Sequence, residues 1–272
     1  MGMQTVYDRE VTLHSRNAQG RNALTERAGR AAVFYKPAHA RKTQPGAWRR
    51  LAAVALCCGA LLCAFRLYGR ARSRFGVQLP VRTVLQNPEL PNGCEAASLA
   101  ALLEYKGVPA DKLDLAYGYI PRGDIEETTD GRTGPDPELA YAGDPAAGLG
   151  FYCFAQPVAQ GANAYLAAQG SALRAADITG VTGLLQYLRG GDPVIVWITK
   201  DLSAPRTGGC TWLLADTGET YVPYVNLHCV VLAGWDGDTC TIADPLQGRR
   251  RVDAAAFLQC FRQMGSRAVV VH

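Results

Sequence analysis

The apolar pattern divides the chain at Leu51–Phe65, fifteen residues without a charge between Arg50 and Arg66. Before that run, residues 1–47 are polar, basic and aperiodic, the pattern of a disordered tail. After it, a basic stretch at 70–78 leads into a region of clear periodicity. Leu99, Leu102 and Leu103 share one face of an expected helix over Ala97–Tyr105, and Gly107 stands where a C-terminal cap belongs. A second short helix is expected from Asp111. Residues 121–150 are rich in Gly, Pro, Asp and Thr and predict a long irregular excursion. Helices are expected at Ala162–Ala168 and at Val181–Arg189, the latter ended by Gly190 and Gly191. "PVIVWIT", Pro193–Thr199, reads as a buried strand, and further strands are expected at Val222–Asn226, His228–Trp235, Thr239–Ala243, Arg249–Val252 and Arg267–Val271. A helix over Asp253–Gln263 opens on an N-capping aspartate. Helices first and mostly antiparallel strands afterwards predict an α+β fold.

Charge changes the picture of the basic balance. Residues 1–75 hold fourteen Lys or Arg and three Asp or Glu, while residues 76–272 hold fourteen and twenty-one, so the folded region is mildly acidic. It lacks the basic stripe of a nucleic-acid binder. The apolar run is short for a membrane span, but Trp48, Leu67 and Tyr68 extend it and the flanking arginines can reach headgroups. A single-pass signal anchor is the leading reading; a cleaved signal peptide and a buried helix are the others. Five Lys or Arg in 36–50 against four in 66–80 place the N-terminus in the cytoplasm by a narrow margin. The expected organisation is a tail over 1–47, a transmembrane helix over 48–69, a juxtamembrane linker over 70–79 and one domain over 80–272.

Nine cysteines are present without any CxxC spacing, so zinc or dithiol chemistry has no sequence signal and no metal or organic cofactor is expected. Cys57, Cys58 and Cys63 belong to the apolar run. Cys153, Cys210, Cys229, Cys240 and Cys260 are open to disulfide formation in an exported domain, whereas Cys94 has a different setting. It joins a Pro-Asn-Gly turn to a helical run. The free N–H groups of a helix's first turn favour a thiolate and can hold an oxyanion, although a buried structural cysteine has the same pattern. Gly93 would let a substrate backbone come close. Of the four histidines, His14 and His39 lie in the tail and His272 ends the sequence. His228 alone opens an expected core strand, 134 residues after Cys94, within the spacing of papain-like enzymes.

An imidazole base needs an orienting acceptor. A three-residue turn at 236–238 would set Asp244 opposite Val230, on the face of His228, while a two-residue turn would put it on the other face. Asp236 and Asp238 are read as turn formers, and Asp244, preceding Pro245, is open to a strand-ending role. Asn226 is the alternative acceptor. Gln86, with Asn87 as rival, is placed to supply an oxyanion hydrogen bond from eight residues before Cys94.

"VLQNPELPNGCEAASLAALLEYKGV", "GDPAAGLGF" at 143–151, "LHCVVLAGWD" at 227–236 and "IADPLQG" at 242–248 together resemble the C39-like peptidases, over about 80–272. This papain-like group is related to the leader-cleaving domains of bacteriocin exporters. The resemblance implies a papain-like cysteine peptidase fold, with Cys94 as nucleophile, His228 as base, Asp244 as its orienting partner and Gln86 as oxyanion donor. It further implies a bacterial protein, anchored by one helix with its domain outside the cell, acting on a peptide or protein substrate. Gly93 and Glu95 fit the stand-alone branch, and the sequence has no ATP-binding or multi-span region. A cell-wall peptide amidase using the same residues, and a catalytically silent binding module, are the alternatives.

Overall fold

In a computed structural model, residues 46–129 and 131–272 are described, the side chains of 47 and 68–75 excepted. The expected tail, with His14 and His39, lies outside the described residues apart from its last two positions. Helix α1 spans Gly46–Phe75, and Trp48–Leu67 is long and apolar enough to cross a membrane. Residues Leu51–Leu67 are exposed along their length. The helix continues through residues expected to form a linker, and the chain then enters strand β1, Val77–Gln78.

The domain is built on one seven-stranded sheet. Helix α2 is Cys94–Tyr105, α3 Ala155–Ala168, β2 Ala175–Thr179 and α4 Val181–Gly190. Strands β3 (Val194–Thr199), β4 (Leu227–Trp235), β5 (Thr239–Asp244) and β6 (Gly248–Asp253) follow, then α5 (Ala254–Gln263) and β7 (Arg267–Val271). The sheet order is β6-β5-β4-β3-β7-β2, with β1 paired to the end of β4, and every pair is antiparallel. The α+β architecture is therefore as expected. Every residue of β3 is buried, as are the first eight of β4. Because successive strand side chains point to opposite faces, such runs are covered on both sides.

Helix α2 starts three residues earlier than its leucine pattern indicates, so Cys94 is its first residue. Its first ten residues are all buried, which makes it the central helix of the core rather than an amphipathic surface helix. Gly107 ends it at φ +79°, with Val108 N–H reaching the Leu103 carbonyl and Gly107 N–H the Glu104 carbonyl. That is the paired closure an αL glycine permits. Ser98 Oγ donates to the Cys229 carbonyl at 3.2 Å and ties the helix to β4.

Several expectations need correction. Helix α3 begins at Ala155 rather than Ala162, because Pro157 sits in the first turn, where no N–H is needed. Gly161, which also weakened the pattern, admits the close approach of Ile120. Val222–Asn226 is not a strand. Pro223 cannot donate to a ladder, and Val222 and Val225 are exposed. The regular ladder stops at Thr220–Tyr221, against Trp212–Leu214, and beyond it Tyr224 forms only a single bridge with Thr207. The excursion at 121–150 is partly ordered: Glu126–Thr128 and Gly131–Gly134 join those two segments in a four-stranded sheet around Trp212. Strand β2 was not anticipated, its alternation being too weak in "AADIT".

Asp253 caps α5 as expected, accepting the Ala256 N–H at 2.8 Å. Asp253→Ala should cost about 1 kcal/mol. Thermal melting should therefore fall by about 2–4 °C in a domain of this size, and an unchanged midpoint would refute the role of the cap.

Candidate active site

The site begins with a problem of register. Asp236 accepts the Asp238 and Thr239 N–H groups on Oδ1, and its own N–H reaches the Thr239 carbonyl, so the β4–β5 hairpin closes on the two residues Gly237 and Asp238. The three-residue turn anticipated from the sequence is not formed. Continued without interruption, this register would turn Asp244 away from His228. A bulge prevents that: Leu232 pairs with Ile242 and Gly234 with Thr241, leaving Ala233 as one extra residue on β4. The inserted residue restores the phase in which Asp244 and His228 share a face.

The result is a short hydrogen bond. His228 Nε2 lies 2.7 Å from Asp244 Oδ1, and both side chains are essentially without solvent exposure. Asp244 also forms the strand-ending turn anticipated as its alternative role, since Oδ1 accepts the Leu246 N–H at 2.9 Å. Arg250 supplies the other oxygen, with Nε at 2.9 Å and Nη2 at 2.8 Å from Oδ2. Burial pushes the Asp244 pKa up, but the His228 hydrogen bond and charge, the Leu246 N–H and Arg250 outweigh it and hold the carboxyl below its ordinary value. Arg250 was not singled out from the sequence. It reaches Asp244 through the strand register: Gly248 pairs with Asp244, and Arg250 is two residues further on the same face.

Cys94 and His228 line one cleft of about 240 Å³ together with Gln86, Asn92, Phe151, Tyr152 and Lys200. The wall carrying Cys94 is braced by the segment 143–151. Asn92 N–H reaches the Pro145 carbonyl, Asn92 Nδ2 the Ala147 carbonyl, and Tyr141 Oη the Asn92 carbonyl. Gly143 and Gly150 close that segment on itself so tightly that a Cβ on either would sit about 2 Å from a carbonyl oxygen. Gly93 has a local packing role: a Cβ there would lie 2.6 Å from the Leu90 Cβ.

Gln86 is buried and lines the same cleft as Cys94 and His228. Its backbone N–H donates to the Pro245 carbonyl at 3.0 Å, which couples this loop to the Asp244 turn. Its side-chain Nε2 donates to the Pro91 carbonyl, and its Oε1 has no partner among the described residues. Lys112 clasps the same loop through the Leu85 and Gln86 carbonyls. Asn87 is exposed. Asn226 is occupied elsewhere: its Oδ1 accepts the Arg206 N–H, and its Nδ2 donates to Ser203 Oγ and the Ala204 carbonyl.

Burial, followed by the neighbouring Glu95, raises the Cys94 pKa well above the ordinary thiol value. The Cys229 N–H and the Lys200 charge act in the opposite direction. Cys94 Sγ is hydrogen-bonded to Glu95 Oε2 at 3.4 Å; among the described residues it makes no hydrogen bond to His228. All nine cysteines are free thiols. No group of three or more His, Cys, Asp or Glu is arranged to hold a metal ion among the described residues.

Residues 78–269 match the Peptidase_C39 like family, so the chain is a member of that family. The uncharacterized protein YvpB of Bacillus subtilis (strain 168) is 30% identical over 203 residues, covering 72% of this chain and 77% of its own length. A crystal structure from Bacillus anthracis, provisionally described as a C39-like peptidase, superimposes with a TM-score of 0.62 at 31% identity. That match covers 72% of this chain and 97% of the other.

Glu95 is fully buried, and loss of hydration pushes its pKa up to about 8. Unfolding releases that carboxyl to ionise near its ordinary value. Its contribution to stability is therefore intact at acid pH and is lost as pH rises toward about 8, by up to about 1.4 kcal/mol per pH unit. Glu95→Gln has no such proton to lose. Its unfolding midpoint in urea should fall less between about pH 5 and about pH 8 than that of the parent chain. Equal losses in the two proteins would refute the assignment.

Proposed function

We propose that this chain is a papain-like cysteine peptidase, held to a membrane by α1 with residues 80–272 outside the cell. The observation that carries the reading is the buried His228–Asp244 pair in the wall of the cleft that Cys94 also lines. With Nε2 committed to Asp244, the other ring nitrogen, Nδ1, is the one available to the thiol. His228 takes the Cys94 proton as sulfur attacks the substrate carbonyl. The oxyanion gathers hydrogen bonds from the start of α2 and from the second N–H of Gln86, whose amide is oriented by Pro91. The intermediate collapses, His228 protonates the departing amine, and a thioester remains on Cys94. Water, deprotonated by His228, attacks that thioester and releases the acid, regenerating the thiol. Asp244 fixes the tautomer and favours the imidazolium, with Arg250 holding its second oxygen.

Cys94→Ala and His228→Ala should each abolish turnover of a peptide library, with a loss of about a thousandfold or more. Asp244→Asn keeps an acceptor for the ring and should lose less than Asp244→Ala, which strands His228 and Arg250. Cell-wall peptides belong in the same panel, since their amides suit the same chemistry. Unchanged cleavage by folded Cys94→Ala protein would sink the proposal.

The anchor has a separate test. Protease added to intact cells should remove the domain while leaving α1 with the membrane fraction. Protection until lysis would reverse the orientation.

A further inference from the structure

Glu95 follows the proposed nucleophile directly, yet nothing in the proposed reaction uses it. Its carboxyl has no solvent exposure; Oε2 meets Cys94 Sγ at 3.4 Å, and Oε1 is without a hydrogen-bond partner among the described residues. The titratable groups around it are Cys94 on its own helix, Tyr141, Tyr152 and Cys153 in the segment before α3, and Cys229 on β4. None of these is a cation. Lys200, which lines the cleft with His228, bears on the Cys94 sulfur. An ionised carboxylate at this position would be buried without a counter-charge, which is strongly unfavourable. An uncharged carboxyl at the same spot can donate a hydrogen bond to sulfur instead of accepting one.

Resting on the reading of Cys94 as nucleophile, we propose that Glu95 is a positioning residue that sets the charge of the thiol. While its carboxyl is uncharged, Cys94 can pass its proton to His228 and stand as a thiolate beside an imidazolium. Once the carboxyl is ionised, a negative charge at hydrogen-bond distance holds the proton on sulfur. No atom is exchanged with solvent in the first state: the proton moves from Sγ to His228 Nδ1, and Glu95 keeps its own. Deprotonation of the imidazolium would leave a thiolate behind and would not quench it. The quenching at alkaline pH is thus specific to Glu95. Burial raises the Glu95 pKa to about 8, which places the change within an accessible range.

The test is iodoacetamide labelling of the full-length protein from about pH 6 to about pH 9.5, with the rate for the Cys94 peptide read by mass spectrometry. An ordinary thiol gains about tenfold in rate per pH unit below its pKa. The partly exposed Cys210 serves as the internal standard. Cys94 should instead pass through a maximum and fall by about threefold or more as pH crosses the Glu95 transition. In Glu95→Gln the fall should vanish and the rate should climb with pH. A Cys94 rate rising in parallel with that of Cys210 in the parent chain would overturn the proposal. So would a fall retained in Glu95→Gln, or a Cys94 that reacts at no pH in the folded protein. The profile of the parent chain decides the matter even where the variant fails to fold. The readout needs no substrate, so a chain that cleaves no peptide fails the peptidase proposal and leaves this test standing.

Discussion

A carboxylate with no access to water has to be satisfied on both oxygens, and Asp244 is where this domain meets that demand. His228 and the Leu246 N–H converge on one oxygen and Arg250 on the other. His228 lies on β4, Leu246 in the turn that follows β5 and Arg250 on β6, so the pairing of β4, β5 and β6 has to be correct at once. The hairpin between β4 and β5 shows how narrow the condition is. Its tight turn alone would send Asp244 to the wrong face, and one extra residue at Ala233 brings it back. Removing one partner from such a buried pair leaves the other desolvated and uncompensated, which costs far more than an exposed ion pair contributes.

The second constraint is the burial of α2. A helix covered all round can be held in only one position, and its first residue inherits that precision. Loops at 86–92 and 143–151 lock the approach to Cys94 with backbone hydrogen bonds, and Gln86 is joined to the Asp244 turn by the Pro245 carbonyl. The two halves of the candidate site are thereby connected through the main chain and not only through side chains facing a common cleft. The same burial sets the chemistry. It raises the thiol pKa and leaves Glu95 without a counter-charge, so the residue that looks most exposed to activation by a helix terminus is governed by desolvation.

Family membership accounts for the shared architecture, and the superposition on the Bacillus anthracis structure agrees with it over the domain. Helix α1 lies wholly outside the matched region, and its apolar segment has the dimensions of a membrane span. Peptide hydrolysis, anchoring and orientation are the functional reading that joins these observations.

The sequence by itself determined the α+β class, most core strands, the cap at Asp253 and the singling out of Cys94, His228, Asp244 and Gln86. These are local or periodic signals: a strand's alternation, a capping side chain and a cysteine at a turn-helix junction all lie within a few residues. Recognising the motifs as a set added their order along the chain. Only the tertiary structure decided the rest. The Ala233 bulge has no signature in composition, because it depends on how two strands settle against their neighbours. Arg250 becomes a partner of Asp244 only once β6 is paired. The strand expected at Val222–Asn226 dissolved around Pro223, and α3 extended back through a proline and a glycine that mask it locally. The acid-base character of Cys94 and Glu95 was beyond any local pattern, since a pKa follows from the water and charges that the folded chain leaves beside a group.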